Sequence, residues 1–405
     1  MSTVSLVLLV GCAQPALYAS TDPAEWGLLL DDPIDGVVAD AQANVTVSAG
    51  GLLTRYAGDG ERRWSEAVER PGGAVIGVDA RGQVWLGGTF RSQWSAGDTI
   101  LHSEGGDDQL LAGFDADGGM FSAWSGGGAG QDDVLALAAG GRIAIAGDRS
   151  AGQATDSAAY VASFEHTGSL VWERALGEQD GERGQWAGPV AVGEAGQVAI
   201  AGGFEGELEI DGVTLTLGGL VALFDEHGAL LWATDHDPSE SVDSIGVGPE
   251  GEVFAVLSAP SSAGGWTTQR LVAFEPTGEP RWAWDLPAEL RVTAPMAVDR
   301  DGAIWIAGVA TRLELEDGGA QTAEVAAPFV AAVTERGTLS RGRLLQGVGE
   351  PLYGWVADVR ALGLGAEDQV VIGGALWGEI TVGDGALQNA VESSSTPFFA
   401  SLLLP

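Results

Sequence analysis

One pattern occurs four times in nearly the same form along the chain: an apolar stretch ending in Phe, a turn with an acidic residue and Gly, and a stretch ending in Trp. The copies are LLAGFDADGGMFSAW (110–124), VASFEHTGSLVW (161–172), VALFDEHGALLW (221–232) and LVAFEPTGEPRW (271–282). Self-similarity of this kind predicts a chain built from repeated structural units, each of which packs against its neighbours.

A second pattern precedes the first and joins a short run of small residues to a fuller apolar stretch through a turn. It occurs at 75–90, 190–204, 245–257 and 296–308, with weaker copies at 37–51, 135–147 and 359–374. The turn residue before the second stretch, which recurs about every 54 residues, is Ala43, Gly82, Gly141, Gly196, Gly251, Gly302 and Asp368. Seven copies therefore cover nearly the whole chain after residue 25.

Each repeat is typical of four short antiparallel strands joined by turns, in which Gly supplies a positive φ without steric cost. A single four-stranded sheet cannot bury both of its faces, whereas sheets arranged in a ring cover one another. The sequence therefore predicts an all-β fold, a single seven-bladed β-propeller of four-stranded blades. Aromatic residues dominate buried area in proteins, so the repeated Phe residues should be core residues and the repeated Trp residues should pack between blades. These residues are Phe114, Phe164, Phe224, Phe274, Trp124, Trp172, Trp232 and Trp282.

The two ends of the chain each hold part of one repeat. The final copy stops at FFASLLLP (398–405), which has the character of a third strand without a fourth. The segment EWGLLL (25–30) contains Trp26 and has the character of a fourth strand without the preceding three. We therefore expect residues 26–30 to complete the last blade, because this pairing removes an open sheet edge.

The N-terminal segment indicates where the protein is located. Residues 4–10 form an apolar run that is too short to span a bilayer, which needs ~20 residues, but has the size of a signal-peptide core. The run ends in Leu9-Val10-Gly11-Cys12, which resembles the bacterial lipoprotein signal. The resemblance implies cleavage before Cys12, acylation of Cys12 and, because Ala13 and Gln14 follow, the outer membrane or cell surface. An ordinary buried cysteine is the alternative.

The predicted organisation is a signal peptide at 1–11, a lipidated tether at 12–25 and the propeller at 26–405. The segment that runs from GGTF (87–90) to the Trp at 124 resembles the repeats of bacterial seven-bladed-propeller lipoproteins and surface proteins. This resemblance implies a propeller on the cell surface. The FD-x-x-G-x-x-x-W hairpin more distantly resembles pyrroloquinoline-quinone-type propellers, but the Trp and calcium ligands of those enzymes have no matched positions here.

The charge of the chain excludes one large class of partner. The net charge is −38, and all 19 basic residues are Arg. Nucleic-acid backbones are bound by cationic surfaces, so we expect no nucleic-acid partner. Such acidity favours cations or basic partners. The sequence also contains no G-x-S-x-G, H-E-x-x-H, C-x-x-C or phosphate-loop motif, so we do not expect an enzyme.

Two long, aromatic connections between blades, 177–188 and 346–358, are the candidate ligand-binding segments. Their aromatic side chains can stack on a sugar or hold a peptide, and their acidic side chains can hold calcium or a basic group. The candidate residues are Trp186, Tyr353, Trp355, Glu178, Asp180 and Glu182. The alternative is that these aromatic residues fold back and seal the mouth of the propeller channel.

Metal binding has weaker support. Asp235, His236 and Asp237 are candidate ligands because His and carboxylates bind divalent metals. The segments DADGG (115–119) and DRDG (299–302) resemble fragments of calcium loops but lack the downstream Glu of a complete loop. Asp and Gly also build ordinary turns. We therefore expect no cofactor, with calcium as the open alternative.

The leading functional hypothesis is a monomeric, non-catalytic surface lipoprotein that binds a protein or glycan through one face of the propeller. The membrane would be contacted through the lipid anchor. The alternatives are a lipoprotein scaffold for envelope assembly and a propeller enzyme that acts on glycans or depends on a quinone or metal. A propeller fold alone does not distinguish these hypotheses.

Overall fold

Antiparallel β-strands make up the structure, a computed structural model that describes residues 16–19, 25–150, 157–177, 185–260, 267–334, 336–348, 356–365, 369–383, 385–388 and 395–404. These residues form seven large sheets, here called blades, and two small ones. Among them there is no helix that has the length and apolar character needed to cross a membrane.

The first three blades take their strands in sequence order. Two strands precede them, β1 (Ala16–Ala19) and β2 (Trp26–Leu29). Blade 1 contains β3 (Ile34–Ala39), β4 (Val45–Ala49), β5 (Leu52–Tyr56) and β6 (Arg62–Ala67). Blade 2 contains β7 (Gly72–Val78), β8 (Val84–Ala96), β9 (Thr99–Phe114) and β10 (Met120–Gly126). Blade 3 contains β11 (Asp132–Ala139), β12 (Ile143–Ser150), β13 (Ser157–Phe164) and β14 (Leu170–Leu176).

Blades 4 to 6 include two departures from the simple four-stranded plan. Blade 4 contains β15 (Gln185–Val192), β16 (Val198–Phe204), β19 (Gly219–Phe224) and β20 (Leu230–His236), with a separate hairpin of β17 (Leu208–Ile210) and β18 (Val213–Leu215). Blade 5 contains β21 (Ser241–Val247), β22 (Val253–Ala259), β23 (Thr268–Phe274) and β24 (Pro280–Asp285). In blade 6 the first strand is split into β25 (Leu290–Val292) and β26 (Ala297–Val298), followed by β27 (Ile304–Glu314), β28 (Ala320–Val333) and β29 (Leu339–Leu344).

Blade 7 joins the two ends of the chain. Its strand order is β1, β2, β35 (Thr396–Leu403), β32 (Gln369–Leu376) and β31 (Ala357–Leu364). A small sheet of β30 (Gly347–Val348), β33 (Glu379–Val382) and β34 (Gly385–Gln388) lies beside it, and β34 contacts both β1 and β2.

The blades form a closed ring. The first strands contact one another in the order β3, β7, β11, β15, β21, β26 and β31, and β31 returns to contact β3. The apolar core is divided into clusters, most of which lie between two adjacent blades, as in the cluster that joins Trp85 of blade 2 to Phe164 of blade 3. Each sheet is thereby covered by its neighbours, which is the arrangement of a β-propeller.

Strand β2 closes the ring as the sequence predicts. It pairs with β35 from Trp26 opposite Ser401 to Leu29 opposite Phe398. Trp26 is fully buried, and its Nε1 donates a hydrogen bond to the carbonyl oxygen of Gly58 in blade 1 at 2.8 Å. The predicted β-propeller with an N-terminal closing strand is therefore confirmed.

One strand lies where the sequence predicts an irregular tether. β1, within residues 12–25, pairs with β2 from Ala16 opposite Leu29 to Ala19 opposite Trp26. The pairing has a simple cause, because the outer edge of β2 presents backbone N–H and C=O groups that any extended segment can satisfy.

The repeated aromatic residues pack as predicted. The four Phe residues are buried, and each of Trp124, Trp172 and Trp232 contacts the Phe of the next blade. The Trp124–Phe164 pair has ring centroids 4.9 Å apart. Trp282 instead pairs with Phe254 of its own blade, because blade 6 has Val333 in place of the Phe.

The ring has two different faces. The turn face carries the tight turns between first and second strands and between third and fourth strands, such as 79–83 and 115–119. The loop face carries the connections between second and third strands and the connections from one blade to the next. Binding residues in proteins occur preferentially on such connections, which a rigid scaffold holds in place.

Candidate functional site

The first strands of the blades surround a central channel with a volume of about 630 Å³. Small residues line much of it because neighbouring inner strands approach closely. A Cβ atom on Gly77 would lie 2.4 Å from the Cδ2 atom of Leu137, and one on Gly36 would lie 2.8 Å from the Cγ1 atom of Ile76. Glycine at these positions therefore allows side chains of the next blade to fill the channel wall.

Each inner strand is interrupted in its pairing with the second strand. The irregular positions are Asp35, 73–74, Leu135, 188–189, Asp243 and Arg360, and in blade 6 the strand itself divides. A β-bulge leaves a residue unpaired and redirects its side chain. The four large bulged side chains line the channel, so the bulges form a ring near its loop-face mouth.

The charged members of this ring have partners within the protein. Asp35 forms an ion pair with Arg70, and Arg360 Nε donates a hydrogen bond to Asp358 Oδ2 at 2.9 Å. Asp243 Oδ2 accepts a hydrogen bond from Gln269 Nε2 at 2.9 Å. Leu135 differs, because this bulged side chain is apolar and 48% exposed.

Trp186 lies on the loop face on the inner strand next to that of Leu135. It is the second residue of β15, and its side chain is 48% exposed. A Cβ atom on Gly203 would lie 2.2 Å from the Trp186 Cζ2 atom, so the indole ring lies over the glycine of β16. The ring is therefore held in place by the sheet while a large part of it faces solvent.

Asp148 lies between these two blades, near the loop-face end of β12. Burial and, to a smaller extent, the charge of Asp133 raise the pKa of Asp148 to about 6, while the hydrogen bond from the Ala187 amide opposes the shift. Its Oδ1 atom is buried without a hydrogen-bond partner. Leu135, Asp148 and Trp186 are together called the blade 3–4 patch. Exposed apolar side chains and a carboxylate with a shifted pKa are both found at binding sites. Asp148 faces blade 4, whereas the Trp186 ring covers Gly203 on the face of blade 4 that is turned towards blade 5.

Replacing Asp148 with Asn is expected to stabilise the protein at neutral pH but not in acid. The folded-state pKa of Asp148 lies above its unfolded value, so its stabilising contribution is complete below about pH 4 and is lost as the pH rises through about 6. Allowing for solvent screening, Asp148→Asn should raise the free energy of unfolding at pH 7.5 by ~1–2 kcal/mol. Urea unfolding at pH 4 and pH 7.5 measures the difference.

Asp98→Asn is the control for this prediction, because Asp98 is an exposed residue on the same face of the ring. Its effect on stability should be small and similar at both pH values. An Asp148→Asn variant that loses stability at pH 7.5 would contradict the assignment of Asp148 as a destabilising buried carboxylate.

Most of the residues that the sequence singles out for binding lie outside the described residues. This holds for Cys12, Glu178, Asp180, Glu182, Tyr353 and Trp355. Trp186 is described and exposed on the loop face, at the end of the connection that contains the three acidic candidates.

The candidate metal ligands of blade 4 point to different local partners. Asp235 Oδ2 accepts hydrogen bonds from the backbone N–H groups of Thr216 and Leu217, at 2.7 and 3.0 Å. Asp237 Oδ1 accepts hydrogen bonds from Ser239, which lower its pKa, and His236 packs over Gly219. Across the described ranges, no three His, Cys, Asp or Glu side chains are grouped so that they can hold one metal ion.

The two calcium-loop fragments form turns that are closed by their own aspartates. Asp115 Oδ1 accepts hydrogen bonds from the backbone N–H groups of Asp117 and Gly119, at 2.9 and 2.8 Å. Asp299 Oδ1 accepts hydrogen bonds from the backbone N–H groups of Asp301 and Ala303, at 3.0 and 2.9 Å. These carboxylates cap backbone donors, which is the common role of Asp in turns.

The turn-face mouth of the channel contains a buried Asp–His pair. His166 Nδ1, from blade 3, lies 2.7 Å from Asp79 Oδ2, from blade 2. Asp79 Oδ1 accepts hydrogen bonds from the backbone N–H groups of Arg81 and Gln83, at 2.9 and 3.0 Å. The His166–Asp79 contact connects blades 2 and 3 and orients the imidazole ring. The Asp79 carboxylate also stabilises the turn 79–83 through its hydrogen bonds to backbone N–H groups.

The sequence gives no direct signal for the ring of bulges. The bulged residues are scattered over distant repeats, and pairing irregularities are not visible in composition. A weak signal exists in retrospect, because Asp35, Leu135, Asp243 and Arg360 each lie five residues before the start of the first turn, among small apolar residues. Asp148 is similarly a charged residue at the end of a buried strand.

Comparison with known proteins supports the fold. No family model matches the chain, and no curated protein matches its sequence significantly. Among solved structures, U3-55K is 11% identical with a TM-score of 0.50, over 92% of this chain and 96% of that chain. The RRP9 WD40 repeats are 12% identical with a TM-score of 0.49, over 96% of this chain and 99% of that chain. The Dos1 propeller is 11% identical with a TM-score of 0.42, over 95% of this chain and 90% of that chain. At this identity the likeness concerns the fold alone, and the β-propeller is shown by the closed ring of seven sheets in this structure.

Proposed function

We propose that the protein is a non-catalytic, lipid-anchored protein of a bacterial outer membrane or cell surface, and that its blade 3–4 patch binds a protein or glycan. The observation that carries this proposal is the exposure of Leu135 and Trp186 on adjacent inner strands of a rigid ring. The lipid anchor is Cys12, and the proposal takes the protein to be a monomer.

The distribution of exposed apolar residues favours the loop face. Among the residues that the structure describes, six of the nine exposed large hydrophobic residues lie on connections, inner strands or strand ends of this face: Leu52, Ile100, Leu135, Trp186, Leu217 and Val348. The other three, Phe121, Leu170 and Leu231, lie on the outermost strands of blades 2 to 4. Exposed apolar residues on one face of a protein, including an exposed Trp, are typical of interaction sites.

The chemistry of the blade 3–4 patch suggests the class of ligand. An indole ring that is held flat on a sheet can stack on the apolar face of a sugar or on an apolar side chain of a protein. Asp148 offers a carboxylate, and the whole chain carries a net charge of −38. The ligand is therefore expected to present hydroxyl or cationic groups, because an anionic ligand would be repelled.

The binding proposal predicts that removing the two apolar side chains will reduce capture of envelope partners. The Leu135→Ala/Trp186→Ala double variant of the mature domain should recover roughly tenfold less partner than the unchanged domain, because hot-spot residues each contribute more than ~1 kcal/mol. Recovery from solubilised envelopes is measured by quantitative mass spectrometry, with purified glycan fractions as a second bait.

Leu231→Ala is the matched control, because Leu231 is 51% exposed but lies on the outermost strand of blade 4. Its recovery should equal that of the unchanged domain. Equal recovery by the Leu135→Ala/Trp186→Ala variant, with unchanged thermal stability, would remove the blade 3–4 patch from consideration.

A further inference from the structure

The position of β1 determines which part of the ring lies closest to the lipid anchor. We propose that the loop-face end of blade 7 rests on the bilayer, with Val348 at the lipid interface, and that blades 3 and 4 are held away from it. This inference rests on the proposed acylation of Cys12. It adds an orientation of the propeller relative to the membrane, which that proposal does not contain.

The register of blade 7 gives the height of the anchor along the blade. Ala16 pairs with Leu29, and Leu29 pairs with Phe398, so these three residues lie at one level. β35 runs from Thr396 at the loop face to Leu403 at the turn face. With a rise of ~3.4 Å per residue, Ala16 lies ~7 Å from the loop-face end of β35 and ~17 Å from its turn-face end.

The four residue steps from Cys12 to Ala16 limit where the anchor can be. A fully extended chain spans at most ~3.6 Å per residue, so Cys12 lies within ~14 Å of Ala16. This reach extends past the loop-face end of blade 7 but does not cover the distance to its turn-face end. An acyl chain on Cys12 can therefore enter a bilayer on the loop-face side of blade 7.

The surface beside β1 is suited to contact with lipid. The small sheet of β30, β33 and β34 touches β1, and its strands contain one charged residue, Glu379, in a chain with a net charge of −38. Asp384, between β33 and β34, and Glu350, after β30, are the nearest other acidic residues in the sequence. Val348 in this sheet is the most exposed large hydrophobic residue of the described structure, at 65%. An exposed apolar side chain on a surface with few charges can enter the interfacial region of a membrane at low cost.

The ring then places the blade 3–4 patch far from the membrane. Blades 3 and 4 are each three positions from blade 7 around the closed ring, which is the largest separation that seven blades allow. A propeller that stands on blade 7 therefore presents Leu135 and Trp186 away from the bilayer, where a partner from outside the membrane can reach them.

Depth-dependent fluorescence quenching tests this orientation on the full, acylated protein in phosphatidylethanolamine/phosphatidylglycerol vesicles. Acylation consumes the thiol of Cys12, the single cysteine, so each introduced cysteine is a unique site for an environment-sensitive dye. The variants are Val348→Cys, Leu217→Cys on the loop face of blade 4 and Asp59→Cys on the turn face of blade 1. Quenching by spin-labelled lipid should be at least about twofold stronger at 348 than at 217 or 59, because interfacial groups lie ~5–10 Å into the headgroup boundary.

The outcomes separate the orientation from the anchor. Equal quenching at 348 and 217 means that the loop face lies flat on the membrane, and stronger quenching at 59, or none at any position, also overturns the orientation. Mass spectrometry of Cys12 and vesicle flotation of the Cys12→Ser variant test the anchor independently. An unacylated protein overturns both proposals, whereas an acylated protein with the wrong quenching order overturns the orientation alone.

Discussion

Deleting residues 398–404 is expected to abolish the cooperative thermal unfolding of the propeller. The segment supplies most of β35, which lies between β2 and β32 in blade 7. Its large apolar side chains, Phe398, Phe399, Leu402 and Leu404, are all buried, and each contributes ~1.5–3 kcal/mol. The sum of these four contributions is comparable with the free energy of unfolding of a typical domain, ~5–15 kcal/mol. Circular dichroism melting curves measure the loss, and an unchanged curve would contradict the closure.

The loss of stability should be large because β2 makes the same kind of aromatic contact with the next blade that joins other pairs of blades. Trp26 packs on Tyr56 of blade 1 with ring centroids 5.8 Å apart, as Trp172 packs on Phe224 of blade 4 at the same distance. Trp26 also meets Phe399 of its own blade at 5.3 Å in an edge-to-face arrangement. Without β35, strand β2 keeps only β1 as a hydrogen-bonded neighbour, and the interface between blades 7 and 1 loses the Phe399 side chain.

A pair of Trp variants separates ring closure from general damage. Trp26→Ala removes a fully buried side chain and should cost ~3–5 kcal/mol. Trp186→Ala removes the same side chain from a site that is 48% exposed and should change stability by less than ~1 kcal/mol. Hydrogen–deuterium exchange should show loss of protection in β2 and β35 for Trp26→Ala alone. Similar exchange in both variants would mean that Trp26 does not hold the ring closed.

The architecture could be predicted from the sequence because its determinants are local and repeated. In the four clear copies the turn Gly follows the Phe by four residues, and in three of them the Trp follows the Phe by eight. The structure places the turn Gly of one blade against the Trp of the preceding one. A Cβ atom on Gly228 would lie 2.7 Å from Trp172, and one on Gly278 would lie 2.7 Å from Trp232. This contact ties the sequence period directly to the geometry of the ring.

The site was harder to predict because its residues share no local motif. Trp186 was identified from sequence as an aromatic residue in a long connection, which needs no knowledge of the fold. Leu135 and Asp148 come from different strands of blade 3, and Trp186 comes from the inner strand of blade 4, which contacts that of blade 3. A bulge depends on how two strands pair, and the pKa of Asp148 depends on burial by the neighbouring blade. Neither can be read from residue spacing.

Arg55 and Asp40 form the buried ion pair of blade 1. Their side chains are 4% and 1% exposed, and Arg55 Nη1 also donates a hydrogen bond to the carbonyl oxygen of Gly82 in blade 2 at 2.8 Å. Burial lowers the pKa of Arg55, while the charges of Asp40 and Asp79 raise it. Replacing Arg55 with Met removes the cation and leaves the Asp40 carboxylate buried without a countercharge. Arg55→Met should therefore lower the free energy of unfolding by ~3–5 kcal/mol at pH 7, measured by urea unfolding.

The second member of the pair provides the decisive comparison. In the Asp40→Asn/Arg55→Met variant neither position carries a charge, and the Asn side-chain oxygen can still accept the hydrogen bonds from Gln42 and Asn44 that Asp40 Oδ1 accepts at 2.9 and 2.8 Å. Most of the lost stability should therefore return, which a double-mutant cycle resolves. Arg312→Met is the control, because the Arg312–Glu314 pair is more than half exposed on both sides and should contribute ~0–1 kcal/mol. If Arg55→Met cost no more than Arg312→Met, the junction of blades 1 and 2 would depend on apolar packing rather than on this ion pair.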